Sequence, residues 1–382
     1  MKELKKIEKI LLIFILLFVF FIPISITFSQ IFLFSGLLIW TIIIFKNKEK
    51  IEFPFFFWGL IGYSFFTLLS ALFSQWRTVS IKDSREVFLF LLIPLLYMGI
   101  KSLKELELVK ITFLLSALIS SLYAIIYYIL KAEPGERIRG FMGHYMTQAG
   151  LMLLIVCFSL SFFLYVKRKN KIPWLIVLIF SIAALLLTLT RSAWVGVFFA
   201  FAFILYHYKP KTLIILPLVV ALFFLFASKP MKQRALSIFS LQDKSNLDRI
   251  YLAKSGLKII KDYPLLGTGP ATFPLIYENY KLPQAERKGI HLHNNLLQIA
   301  VERGIPALLC WLGFIFSAFI SIYKILRHQA FKAYSLGALG AIIGLFISGL
   351  FEYNFGDSEI KMLFLFLITL PFCYKKLSEV RT

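Results

Sequence analysis

His291, His293 and the pair Asn294-Asn295 stand where a long polar segment runs into the apolar stretch LLQIAVERGIPALLCWLGF. Two of the five histidines in the chain fall here. An imidazole can take or give a proton near neutral pH, and a neighbouring amide can fix a partner by hydrogen bonds. Ionisable rings at the edge of an apolar run point to chemistry on something anchored in lipid. The second chemical group is arginine: Arg191 in LLTLTRSAWVG, Arg137 and Arg139 in GERIRG, and Arg249 in SNLDRIY. A guanidinium offers a planar fork of donors that matches phosphate oxygens and stays charged at any relevant pH. Arginine at mid-helix costs roughly 2.5–3.5 kcal/mol on insertion scales and less near the edge, so Arg191 either snorkels to the interface or serves an anion.

Other chemistries lack their residues. The five aspartates are Asp83, Asp243, Asp248, Asp262 and Asp357, so no Asp-X-Asp pair exists to hold a divalent ion for a nucleotide sugar. No Cys/His spacing suits zinc, and no Walker-type loop supports ATP use. Cys157, Cys310 and Cys373 lie inside apolar runs and read as small apolar side chains. No metal and no cofactor is expected. The turn LLGTGP at 265–270 could form a backbone nest for phosphate or be a plain turn.

Apolar helices must carry these residues. Hydrophobic residues make up 59% of the chain and aromatics 17%, and twelve apolar runs long enough to cross a bilayer recur from end to end. They span 10–28, 30–45, 54–73, 86–100, 109–130, 145–166, 173–190, 192–206, 212–227, 295–323, 335–350 and 360–374. The fold class is therefore an all-α polytopic membrane protein of about twelve transmembrane helices. Residues 1–227 would hold helices one to nine, 228–294 a large helical loop on the outer side, and 295–382 helices ten to twelve. The first run has a basic start, Lys2, Lys5, Lys6 and Lys9, but no small-residue cleavage site follows, so it reads as a retained span. Within the loop, Ser245-Asn246-Leu247-Asp248 signals a helix start, and Ile250, Ala253, Leu257 and Ile260 repeat at helical spacing until Pro264. An amphipathic helix lying on the membrane surface or on the bundle is expected.

Charge sets the orientation. Lys46, Lys48 and Lys50, Lys101 and Lys104, Lys167 to Lys171, Lys209 and Lys211, Lys324 and Arg327, and Lys375-Lys376 all fall on the side of the N-terminus. The positive-inside rule then puts both termini in the cytoplasm. The net charge of +22 needs no nucleic acid, because about half of the basic residues mark topology and face anionic lipid. The remainder lies outside: Arg77, Lys82 and Arg85, then Arg137 and Arg139, Arg191, and the loop residues from Lys229 to Lys288. This outer charge is either ordinary solvated loop charge or the footprint of an anionic ligand. Glu352, Asp357 and Glu359 in the last outer loop either orient an arginine or a histidine, bind a ligand, or are simply solvated. Tyr145 and Gln148, after His144, are candidates to line a ligand site.

Several motifs then occur in order. His293-Asn294 is followed by nine residues and Gly304-Ile305-Pro306-Ala307; LLTLTRSAWVG carries Arg191; NLDRIYLAKSGLKIIKDYPLLGTGPATF carries Arg249; GLFEYNFGDSE closes the set. The ordered set resembles the O-antigen ligase family, which belongs with the O-antigen polymerases. Ala307 departs from the Gly, Thr or Tyr usual at the end of the ligase signature. The resemblance covers most of the chain.

It implies a metal- and ATP-independent glycosyltransferase of the bacterial inner membrane, with its active site on the periplasmic face. The donor would be a polysaccharide on undecaprenyl pyrophosphate and the acceptor a hydroxyl of lipid A–core. His293 would be the general base for that hydroxyl, with His291 and Asn294 as neighbours of the base. Arg191 and Arg249, helped by Arg137 and Arg139, would meet the pyrophosphate as charge develops on it. A polymerase or a protein O-oligosaccharyltransferase of the same family is the alternative. A transporter is disfavoured by the lack of mid-membrane acids and of an internal repeat.

Overall fold

The computed structural model describes residues 2–131, 136–240, 242–285 and 289–379. Arg287 and Lys288, counted above in the long loop, lie outside the described residues. Among those described, the chain is helical throughout and forms no strand. In order the helices are α1 (Lys2–Phe21), α2 (Ile26–Asn47), α3 (Phe57–Phe73), α4 (Arg77–Ser84), α5 (Leu92–Gly99), α6 (Leu103–Lys131), α7 (Tyr145–Tyr165) and α8 (Lys171–Leu187). Then come α9 (Arg191–Tyr208), α10 (Ile215–Phe226), α11 (Lys229–Leu236), α12 (Lys244–Asp262), α13 (Phe273–Tyr280), α14 (Asn295–Ile325), α15 (Lys332–Ser348) and α16 (Ser358–Glu379).

The twelve apolar runs fall largely within helices, but several are interrupted by turns and they do not make twelve full-length spans. Among the described residues, six helices are long and apolar enough to cross a membrane by length and composition: α2, α6, α7, α8 with the turn before it, α14, and α15 with the turn before it. α3 and the stretch Pro210–Phe226 are shorter apolar helices. Two expected boundaries move, both at prolines. The run 10–28 breaks at the turn holding Pro23, and α2 restarts at Ile26, where Ser25 accepts a hydrogen bond from Phe28 N. The run 86–100 is not one α-helix. It is a 3-10 segment, Arg85–Leu91, joined to the short α5. Pro94 has no N–H to give the carbonyl four residues earlier and crowds it, which accounts for the tighter winding.

α7 sits at the centre, buried from Thr147 to Phe162 and packed against α8, α9, α15 and α16. Backbones there approach closely enough that a Cβ on Gly196 of α9 would lie 2.5 Å from the Gly344 carbonyl oxygen of α15. Small residues permit such contact in apolar surroundings, where dispersion between close-packed helices replaces the hydrophobic effect. α10 is the opposite case, with Leu218, Leu225 and Phe226 exposed and few contacts beyond α9.

The segment between α10 and α14 folds as three helices under a small separate core of Leu252, Ile259, Phe273, Ile276, Tyr277, Leu292 and Val301. α12 starts with Asp243 as its cap, accepting from Asn246 N. Its buried face is Leu252, Ser255, Gly256 and Ile259, whereas Ile250 and Leu257 of the expected stripe are exposed. The reason is size. Gly256 admits Leu292 so closely that a Cβ would sit 2.9 Å from its methyl group. The helix thus has two apolar faces, and the one with small residues docks against the chain.

The LLGTGP turn has a structural use. α14 is kinked at Gly304, whose φ of 82° opens the helix. The freed carbonyls of Val301 and Glu302 accept from Thr268 N at 2.9 Å and Gly269 N at 2.8 Å, and Ile305 N donates to Pro264 O at 2.9 Å. These amides are consumed by the kink, so they form no phosphate nest. A Cβ at Gly304 would meet Leu265 O at 2.0 Å, so the signature glycine is where the turn crosses the helix.

Candidate functional site

The start of α14 is stitched to the α15–α16 loop by the two asparagines. Asn294 caps the helix by accepting from Leu297 N at 3.0 Å and donates to Leu350 O at 2.9 Å. Asn295 N donates to Gly349 O at 2.7 Å. Its side-chain amide donates to Asn354 Oδ1 at 2.7 Å and accepts from Phe355 N at 3.1 Å. Asn294 is therefore a positioning residue here, engaged by backbone partners on both sides.

That stitching sets His293 against Glu352. His293 Nδ1 lies 3.1 Å and 3.0 Å from the two carboxylate oxygens of Glu352, which is buried. His291 Nε2 lies 3.6 Å from Oε1, and its Nδ1 accepts from His293 N at 3.2 Å. Burial pushes the Glu352 carboxyl up, but the His293 hydrogen bond and the charges of His293, His291 and Arg249 outweigh it and bring it to about 2. In the neutral ring, a carboxylate that holds Nδ1–H leaves the lone pair on the other nitrogen, the tautomer a general base requires. His293 also has a φ of 50°, a left-handed conformation costing a non-glycine residue roughly 1–3 kcal/mol. Its surroundings, not its own preference, hold it there.

His293 lines a cavity of about 160 Å³ together with Arg137, Tyr145, Arg191, Arg234 and Arg249. The four guanidiniums are held differently. Arg191, 6% exposed at the start of α9, donates from Nη1 to Ser237 O and Oγ at 2.8 Å each. Its Nη2 donates to Asp243 Oδ1 at 3.1 Å and Asn246 Oδ1 at 2.9 Å. It therefore pins the α11–α12 junction onto α9 while adding charge to the cavity wall. Arg137 donates to Thr188 O, Leu189 O and Thr190 Oγ1 and lies 3.4 Å over the Tyr145 ring. Arg234 donates from Nε to Leu189 O at 3.2 Å, and Arg249 Nη2 lies 4.0 Å from Glu352 Oε2. The Leu189 carbonyl is turned toward both Arg137 and Arg234 by a φ of 51° at the α8–α9 junction.

Electrostatics reflect the crowding. Burial lowers the Arg137 guanidinium to about 10, Arg234 and Arg191 repel it further, and Tyr145 and Glu352 offset only part. Burial also lowers Arg234, with Arg191 the next cause. Both remain cations at neutral pH, and an anion among them would relieve the repulsion. Burial lowers the ring of His144 as well; it stacks on Tyr145 outside this cavity.

His291, His293 and Glu352 also offer three ligand atoms within 4.8 Å of one another. The donor types suit zinc. The carboxylate is already committed: Oε1 accepts from Tyr353 N at 3.1 Å, both oxygens face His293 Nδ1, and Arg249 approaches Oε2. Guanidiniums on the adjoining wall add repulsion for a further cation. The trio fits the orientation of a base better than a metal.

Of the residues expected from sequence, His293, Arg137, Arg191 and Arg249 come together, with His291 behind His293. Arg139 does not join them: it is exposed just before the 3-10 turn at Gly140, two residues beyond the inward-facing Arg137. Gln148 is buried against Gly140 rather than lining this cavity. Arg234, in KQRAL, reads in the sequence as solvated loop charge, and no spacing distinguishes it from Lys229 or Lys232.

Residues 175–312 match the family profile described as O-Antigen ligase. The matched segment holds Arg191, Arg234, Arg249, His291 and His293, and stops short of Arg137 on one side and Glu352 on the other. No curated protein matches the chain.

Proposed function

We propose that the chain, whose residues 175–312 match the O-Antigen ligase profile, belongs with the O-antigen ligases and polymerases, which act on lipid-linked glycans, and is a ligase. In this reading it moves a polysaccharide from undecaprenyl pyrophosphate to a hydroxyl of lipid A–core. The observation that carries the reading is the cavity in which four arginines face His293. As the glycosidic C–O bond breaks, its electron pair goes to the pyrophosphate oxygen. Arg137, Arg234 and Arg249 meet the growing charge, and Arg191 adds a fixed cation while holding α12 in position. The acceptor oxygen forms the new bond to the sugar carbon. Its proton passes to the ring nitrogen of His293 that faces away from Glu352, and Glu352 stabilises the imidazolium.

No metal or nucleoside triphosphate has a role in this scheme, because the phosphate ester of the donor supplies the driving force. The proposal carries the topology of twelve spans in the bacterial inner membrane, both termini cytoplasmic, with 228–294 as the periplasmic loop. Reconstitution of the full chain with lipid-linked polysaccharide and lipid A–core, without ATP or added metal, tests it. Glycan on the core supports the ligase. Longer lipid-linked chains with no core product would assign the protein to the polymerase side of the family, and dependence on a chelatable metal would remove the mechanism.

A further inference from the structure

A second cavity, of about 180 Å³, lies on the other side of the histidine pair. Asp83, Glu86, Gln298, Glu302, Tyr353 and His291 line it. Among the described residues no lysine or arginine does. Arg303 and Lys361 stand behind the carboxylates, Arg303 pairing with Asp83 at 3.1 Å and Glu302 at 2.9 Å, and Lys361 with Glu86. The two cavities share a wall: the rings of His291 and His293 are 4.0 Å apart and both face Glu352.

We propose that this second cavity seats one sugar ring of the acceptor, a neutral or amine-bearing pyranose, and delivers its hydroxyl to the His293 side of the shared wall. The inference rests on the transferase reading above and adds what the acceptor end must look like. The lining has the chemistry that recognises sugars: planar carboxylates and an amide that can bridge adjacent hydroxyls, with an aromatic ring beside them. Gln298 points the same way independently. It is 2% exposed, its Oε1 accepts from Leu292 N at 2.7 Å, and that bond fixes which end is the amide nitrogen. Its Nε2 has no hydrogen-bond acceptor among the described residues, and the residue lines the cavity, so this donor is available there to a ligand oxygen. Carboxylates at the surface of the cavity repel a uronic acid and favour an ammonium, so charge divides the labour between the two cavities. The volume is below the ~300 Å³ of a drug-sized pocket and suits a single ring with the rest of the glycan outside.

Saturation-transfer NMR on the purified full chain reads this without transfer chemistry, using methyl glucoside, glucosamine and glucuronate as probes and inorganic pyrophosphate as competitor. Methyl glucoside and glucosamine should receive saturation, and glucuronate should not. Pyrophosphate should leave their signals in place. Ile290→Trp, an exposed change at the cavity mouth, should abolish them, and Asp83→Asn should weaken glucosamine by about tenfold, the loss of one charge-assisted bond. Lys376→Ala, at the far end of the bundle, should leave sugar binding unchanged. Sugar signals that survive Ile290→Trp, that pyrophosphate displaces, or that glucuronate matches would overturn the assignment, as would no saturation of any sugar. If sugars bind as described while no core glycan forms in the reconstituted assay, the ligase reading fails and the cavity assignment stands.

Discussion

The two ends of the helical bundle are both basic, yet they are built in opposite ways. At the end bearing the short lysine-rich loops, a cavity of about 540 Å³ is lined by Lys50, Lys101, Lys104 and Lys376 with Glu49 and Glu52. Of these lysines, Lys101 pairs with Glu49 at 3.6 Å and Lys376 with Glu52 at 2.7 Å, both partly solvent-exposed. At the other end the cavity is about 160 Å³, and its cations are half-buried or buried arginines crowded on one another and faced by His293. Size does not mark chemistry here. Fixed guanidiniums that repel each other, beside an imidazole with one nitrogen committed, are prepared for an anion; paired surface lysines are not.

Substitutions at the two ends should therefore differ sharply. His293→Ala should lower transfer by about 10²–10⁴, the usual worth of a general base, with membrane insertion unchanged. Glu352→Gln should cost on the order of 10² in rate by releasing the tautomer, while pyrophosphate still binds. A Glu352→Gln protein as active as wild type would make the His293–Glu352 pair structural only. Gly304→Ala should reduce thermal stability and yield, since the added methyl meets Leu265 O and a φ of 82° strains any other residue by roughly 1–3 kcal/mol. Unchanged melting would mean the kink relaxes without that contact. Lys376→Ala at the opposite end should alter transfer by less than about twofold, as expected for a screened surface pair.

A pH dependence of stability is also expected in the last loop. Burial raises the Asp357 carboxyl from 3.8 to about 7, even though Thr147 donates to it at 2.9 Å. The folded protein thus holds this proton more tightly than the unfolded chain. Stability is lost as pH rises from near 4 through 7, where the buried group ionises. Asp357→Asn removes the ionisation, so its melting temperature should exceed wild type at about pH 8 and the gap should shrink as pH falls. A gap that does not change with pH would place the carboxyl in solvent.

How much of this was legible in the sequence differs by kind. The apolar runs announce the helices because burial in lipid demands internally satisfied backbone, yet among the described residues six helices, not twelve, are long and apolar enough to cross a membrane. The His291–His293–Asn294 segment stands out because ionisable and amide groups are costly at an apolar edge. What the asparagines do was not legible: Asn294 and Asn295 bond carbonyls and amides more than fifty residues away in the α15–α16 loop. Nor could spacing select Glu352 over Asp357 and Glu359, since the choice depends on which carboxyl the loop turns toward His293. The α12 stripe was misplaced because hydrophobicity favoured Ile250 and Leu257, whereas docking followed the small residues Ser255 and Gly256. Arg191 was expected to meet the ligand directly, yet the protein itself occupies its Nη atoms.

Calorimetric titration of inorganic pyrophosphate into the full chain compares the two ends in one readout. The account predicts binding that Arg249→Ala weakens by about 10–100-fold, the worth of charge-assisted hydrogen bonds, and that Lys101→Ala leaves unchanged. Binding that Lys101→Ala weakens and Arg249→Ala does not would contradict it.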